Sequence, residues 1–243
     1  MPATDEVYVE TQERLLGAVA DGDAERRVPA CPDWTVRDVV AHVTGLAVDV
    51  LGGALPMLDL LEQFRDPSVA NARDDMTARQ VSDRKDRSLE ALADEWRGVT
   101  PRLRALMRGE APTGEGIPQF IDMILVTDLA VHEQDARDAL DLAAVRDAAG
   151  VGIGLATYGF GVGYRIVELG LPALRLAYDG KERVLGEGEP VATVTAEKWE
   201  LFRAFAGRRS RAQIAAYDWS GDPEPYLGVI PAYGERADDL VEV

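Results

Sequence analysis

From Glu6 to Leu169 the apolar residues of this chain recur at helical spacing, and beyond Gly170 they alternate. A helix buries one stripe and a strand buries one face, so a change of period marks a change of packing. The first stretch therefore reads as an antiparallel bundle of helices and the second as a small sheet with a helix beside it. The expectation is an α+β protein of two domains, residues 1–169 and 170–243.

The individual elements follow from the same signals. A first helix runs from about Glu6 to Ala20, with Val7, Leu15, Leu16 and Val19 on one stripe. The segment "DGDAERRVPACPDW" reads as a loop by its Gly, Asp and Pro content. Thr35 caps a second helix, and Asp38 three positions on completes a capping-box-like pair. Its stripe is Val36, Val39, Val40 and Val43, and it ends near "LGGALP". A third helix lies within Asp83 to Met107, burying Leu89, Leu92, Trp96, Leu103 and Leu106, with Pro101 as a point where it can break. After a turn at "TGEGIP", a fourth helix spans about Gln119 to Leu140. Ile121, Ile124, Leu125, Leu129 and Val131 make it the most apolar of the set, which places it centrally. A fifth stretch, about Val145 to Leu169, is glycine-rich; its small residues allow close packing at a cost in helix propensity. In the last third, "ALRLAYDGKERVLG" reads as a hairpin turning at "DG". "PVATVTA" reads as a third strand, and "AEKWELFRAFAGRRS" as a helix that stops at Gly207.

Composition narrows the partners. The 243 residues carry a net charge of −17, which opposes both nucleic-acid phosphate and anionic lipid. No apolar run approaches the roughly 18 residues of a membrane span. The acidic start "MPATDEVYVETQERLL" has no basic, apolar leader pattern. A single cysteine, Cys31, allows no intrachain disulfide. The expected setting is the cytoplasm, with no nucleic-acid or membrane partner, as a monomer or homodimer.

The chain has only two histidines, His42 and His132. His42 stands beside the valine stripe of the second helix. Asp128 and His132 are four apart on the fourth helix, so they share a face, and Asp135 is three further on. If these two helices are neighbours, two imidazoles and a carboxylate converge, a sufficient set of ligands for a divalent metal with one position open. The spacing equally permits hydrogen-bonded core histidines and an ordinary helical Asp–His ion pair. Glu133 points elsewhere on the helix and is expected to be solvated. Asp135 is either a helix-surface carboxylate or the acceptor that orients a ligand imidazole.

Other side chains have chemical alternatives. Cys31 precedes the His42 helix, but a small apolar residue packs easily in "PACPDW", and no histidine is near it in sequence to act as a base. Trp34 is expected to staple the start of the second helix, Trp219 to lie in the core, and Tyr158 and Tyr164 to be buried with satisfied hydroxyls. Arg208, Arg209 and Arg211 cluster in an otherwise acidic chain. Arg208 and Arg211 are candidates for a substrate carboxylate, and Arg209 with Gln213 for a thiol cofactor. The alternative for all of them is a helix terminus and surface ion pairs.

"VPACPDWTVRDVVAHVTG" resembles the N-terminal signature of the mycothiol-dependent maleylpyruvate isomerase family, a branch of the DinB-like four-helix metalloproteins. "DLAVHEQDARDAL" resembles its second signature, and "AEKWELFRAFAGRRSRAQIAAYDWSGDPEPYL" its smaller C-terminal domain. The resemblance implies a DinB-like bundle holding a divalent metal, usually zinc, at His42, Asp128 and His132. It also implies mycothiol as co-substrate and a small electrophile, with isomerisation or S-transfer as the reaction. The isomerase is similar but carries glutamate where this chain has Asp128. The shorter arm puts the metal nearer the fourth helix, weakens it, or loses it. Two further readings use the same residues: a thiol-independent zinc hydrolase or iron(II) oxygenase, and a metal-free small-molecule binding protein.

Overall fold

The computed structural model describes residues 2–53, 55, 71–114 and 117–242. The expected turn at "TGEGIP" falls partly outside them. The chain divides into two compact units, the first reaching Gly150 and the second running Val151–Val241.

In the first unit, α1 (Thr4–Ala20) leads into a short antiparallel ribbon of β1 (Arg27–Val28) and β2 (Cys31–Thr35). The ribbon occupies what the sequence presents as plain loop. Its second strand runs directly into α2 (Val36–Gly52), so the chain direction into that helix is fixed. Thr35 accepts from the Asp38 backbone N–H while the Asp38 carboxylate accepts from the Thr35 N–H, the reciprocal capping box expected there. Next come α3 (Asn71–Ser82), α4 (Leu89–Met107) and α5 (Ile121–Ala139).

Four of these helices close a ring: α1 lies against α5, α5 against α2, α2 against α4, and α4 against α1. The ring buries Val7, Leu15 and Val19 of α1, Val36, Val39 and Val40 of α2, Leu92, Trp96 and Leu103 of α4, and Leu125 and Leu129 of α5. Full burial of such a side chain contributes roughly 1.5–3 kcal/mol. The polar tip of Trp96 is satisfied inside the bundle, its Nε1–H donating to the Tyr8 hydroxyl at 2.8 Å.

Two features are not declared by the sequence pattern. α4 does not break at Pro101 but runs through it to Met107. α3 has almost no apolar periodicity, yet it packs along α2, tied to α4 by the Arg84–Glu95 ion pair at 3.0 Å.

The second unit takes in most of α6 (Ala149–Glu168), which the sequence pattern places with the bundle. It contains β3 (Leu174–Tyr178), β4 (Lys181–Leu185), β5 (Ala192–Thr195), α7 (Lys198–Phe205), α8 (Arg211–Ala215), β6 (Asp218–Ser220) and α9 (Glu224–Leu227). The sheet order is β4-β3-β5-β6, with β3 and β5 parallel and the other pairs antiparallel. Asp179 and Gly180 both take positive φ at the β3–β4 turn, as a two-residue hairpin loop demands. Leu174, Leu176, Leu185 and Val194 of the sheet are buried, as are Trp199, Phe202 and Phe205 of α7. The glycines of α6 admit α7: a Cβ on Gly154 would sit 2.4 Å from the Phe202 ring.

Candidate metal centre

α2 and α5 are neighbours in the ring, and their facing sides bring the two histidines together. The rings of His42 and His132 lie 4.9 Å apart, nearly edge to face at 78°. Asp128 stands between them. Its Oδ2 is 3.5 Å from His42 Nε2 and its Oδ1 is 3.7 Å from His132 Nε2. One ligand atom from each of the three residues lies within 4.8 Å of the others. Ligands on a tetrahedral ion with bonds of roughly 2.0–2.1 Å are separated by about 3.4 Å. The two carboxylate-to-imidazole spacings exceed that by a few tenths of an ångström, and the two imidazoles lie within 4.8 Å of each other. These three residues could therefore hold one divalent cation, and the shorter arm of aspartate lies near both imidazoles.

Burial supports the same reading. His42 is 2 % exposed and His132 8 %, whereas the Asp128 side chain keeps 27 %. The rings are enclosed by protein, and the Asp128 side chain is partly exposed although its Oδ2, the oxygen nearer His42, is buried. Trp34 of β2 lies over both rings, its centroid 5.0 Å from that of His42 and 5.6 Å from that of His132. It covers the imidazoles, a larger role than stapling the helix start.

Each ring has a partner on its far side. His42 Nδ1 is 2.8 Å from Gln80 Oε1. His132 Nδ1 is 3.1 Å from Asp135 Oδ2, at ion-pair distance but not in hydrogen-bond alignment. Asp135 is fully buried, so it is not a helix-surface carboxylate, and its Oδ2 lies beside the imidazole. The Cys31 thiol reaches the same carboxylate oxygen at 3.9 Å. Cys31, His132 and Asp135 form a second group whose ligand atoms lie within 4.8 Å of one another. The fold thus supplies the histidine near Cys31 that the local sequence lacks, because β2 crosses beside α5.

Two more residues escape a sequence reading. Glu133, expected in solvent, is fully buried and pairs with Arg14 of α1, Nε to Oε1 at 2.8 Å and Nη2 to Oε2 at 2.9 Å. Tyr8 is buried close enough to Asp128 to feel its charge. Burial first, and then that charge, raise its hydroxyl pKa well above the ordinary value, against the opposing hydrogen bond from Trp96.

The other candidates belong to the second unit and have partners there. Arg209 is buried and forms a fork with Glu200, at 2.7 and 3.0 Å. Arg208 donates to the Ala206 carbonyl at 2.7 Å. Arg211 pairs with Glu235 at 2.7 Å and with Glu224. Gln213 completes a capping box with Ser210 and donates to the Leu240 carbonyl at 2.8 Å. A ligand carboxylate at Arg209 or Arg211 has a resident glutamate to displace.

A ring of helices presenting imidazoles and a carboxylate inward defines a class of bundle proteins whose functional groups project from facing helices into the core. Within that class, residues 9–137 match the mycothiol maleylpyruvate isomerase N-terminal domain, and the chain belongs to this family. All three candidate ligands lie within the matched stretch. Among solved structures, the chain is similar to the mycothiol-dependent maleylpyruvate isomerase, at 15 % identity and a TM-score of 0.54. It is also similar to a histidine-to-alanine mutant of that enzyme, at 14 % identity and a TM-score of 0.55. Each likeness covers 90 % of this chain and 93 % of the other, so the α+β fold extends over both units. A comparison with curated proteins gives no match. Among the described residues, no helix is long and apolar enough to cross a membrane.

Proposed function

We propose that His42, Asp128 and His132 hold one divalent cation, zinc, and that the protein is a thiol-dependent enzyme of the mycothiol isomerase and transferase type. The observation that carries this is the convergence of two imidazoles and one carboxylate, with one ligand atom of each within 4.8 Å of the others. Family membership supports mycothiol as the thiol. A bound cation with an open position deprotonates a coordinated thiol, whose free pKa is about 8.5, and presents the thiolate to an electrophilic carbon.

The chain's own residues do the rest. Buried His42 and His132 fix two ligand directions from rigid helices. Asp135 faces His132 Nδ1 and favours the tautomer whose Nε2 lone pair points into the site. Trp34 screens the rings from water on one side. The partly exposed Asp128 side chain is the side of the cluster from which thiol and substrate would approach.

Cobalt-substituted protein tests the reading. Adding mycothiol should produce a sulfur-to-cobalt charge-transfer band, and an equimolar alcohol of similar shape should not. Cobalt spectra indifferent to every thiol offered would exclude sulfur coordination and leave the hydrolytic use of the same site.

A further inference from the structure

The sequence gives no hint that anything outside α2 and α5 shapes the cluster, yet α3 reaches it. Gln80 of α3 is fully buried, and its Oε1 lies 2.8 Å from His42 Nδ1. Its other amide atom is committed: Nε2 donates to Asp49 Oδ2 at 2.7 Å. That same oxygen accepts from Arg79 at 3.0 Å, so Asp49 is an acceptor and only the NH2 end of Gln80 can face it. The amide orientation is thereby fixed, with the carbonyl toward His42. A carbonyl oxygen can only accept, so His42 Nδ1 carries the proton. In the neutral ring Nε2, 3.5 Å from Asp128, then holds the lone pair.

The approach of α3 that makes this contact is built into α2. A Cβ on Gly45 would meet Gln80 Cβ at 2.7 Å and Cγ at 2.8 Å. Arg84, one turn beyond Gln80, locks α3 to Glu95 of α4 at 3.0 and 3.1 Å. Gln80 is thus held by backbone placement and by hydrogen bonds at once.

We propose that Gln80, anchored by Asp49 and Arg79, is a positioning residue that sets the tautomer of His42 and turns its Nε2 lone pair toward the cation site. The inference rests on the metal reading of the site for its consequence, but the tautomer can be read without metal. The chain has two histidines, so nitrogen NMR of protein labelled on histidine shows only two rings, distinguished by a His132→Ala sample.

Metal-free protein well above the imidazole pKa of about 6.5 should show His42 protonated on Nδ1. Gln80→Met fills the same space without an acceptor; it should move His42 toward the Nε2–H form and weaken zinc binding by about 10–100-fold. Wild-type protein with the proton on Nε2 overturns the proposal, and this arm needs no variant to fold. A Gln80→Met protein that keeps both the Nδ1–H form and wild-type zinc affinity overturns it as well. Wild-type protein that shows Nδ1–H yet binds no zinc would sink the metal reading and leave the tautomer assignment standing.

Discussion

The buried pair joining α1 to α5 makes an asymmetric prediction. Glu133 is fully enclosed, while the Arg14 side chain is 24 % exposed and has a second acid, Glu10, at 2.9 Å. Removing the arginine therefore strands a carboxylate inside the protein, whereas removing the glutamate leaves a cation with water and another partner. Breaking a buried pair costs about 3–5 kcal/mol when the remaining charge is uncompensated. Because Arg14 already touches solvent, Arg14→Ala belongs at the lower end, about 3 kcal/mol. Glu133→Ala loses the pair but strands nothing, and about 1–2 kcal/mol covers its hydrogen bonds to a charged partner. The double change Arg14→Met with Glu133→Leu removes both charges together and should fall below Arg14→Ala alone. Urea unfolding followed by tryptophan fluorescence measures all three. If Glu133→Ala proves as costly as Arg14→Ala, the carboxylate is not the stranded partner and the asymmetry is wrong.

Three further outcomes follow from the same geometry. Asp128→Glu adds a methylene to a carboxylate that already reaches both imidazoles; overpacking of roughly 1–3 kcal/mol should lower zinc affinity by on the order of tenfold in a competitive chelator titration. Gly45→Ala forces α2 and α3 apart at Gln80 and should destabilise by about 1–3 kcal/mol in the same urea assay, with zinc affinity falling alongside. Tyr8→Phe leaves the buried Trp96 N–H without its acceptor, costing about 1–3 kcal/mol, visible as a lower thermal midpoint.

Much of the site was legible because its signals are local. The capping box at Thr35 and Asp38 starts α2, the valine stripe orients it, and helical spacing alone puts Asp128 and His132 on one face. What was hidden depends on contacts between distant segments. α3, "NARDDMTARQVS", has too few apolar positions to declare a buried face, so nothing local marks Gln80 as buried. Glu133 sits on the side of α5 that a soluble helix normally gives to water, and only Arg14 across the bundle makes its burial tolerable. Cys31 and Trp34 seemed to lie in a loop because two residues of β1 are too short a strand to recognise, yet that ribbon brings both against His132. The glycines of α6 argued against a helix by propensity, and the packing of Phe202 over Gly154 overrides that preference.

Metal content decides whether His42 and His132 share an ion. Protein purified without a histidine tag, stripped, reloaded with zinc and freed of excess should retain about one ion per chain, as one three-ligand site requires. His42→Ala and His132→Ala should each retain almost none while keeping the wild-type helical circular dichroism. Equal zinc in all three proteins would contradict the account, since the ion would then be held somewhere other than between these two rings.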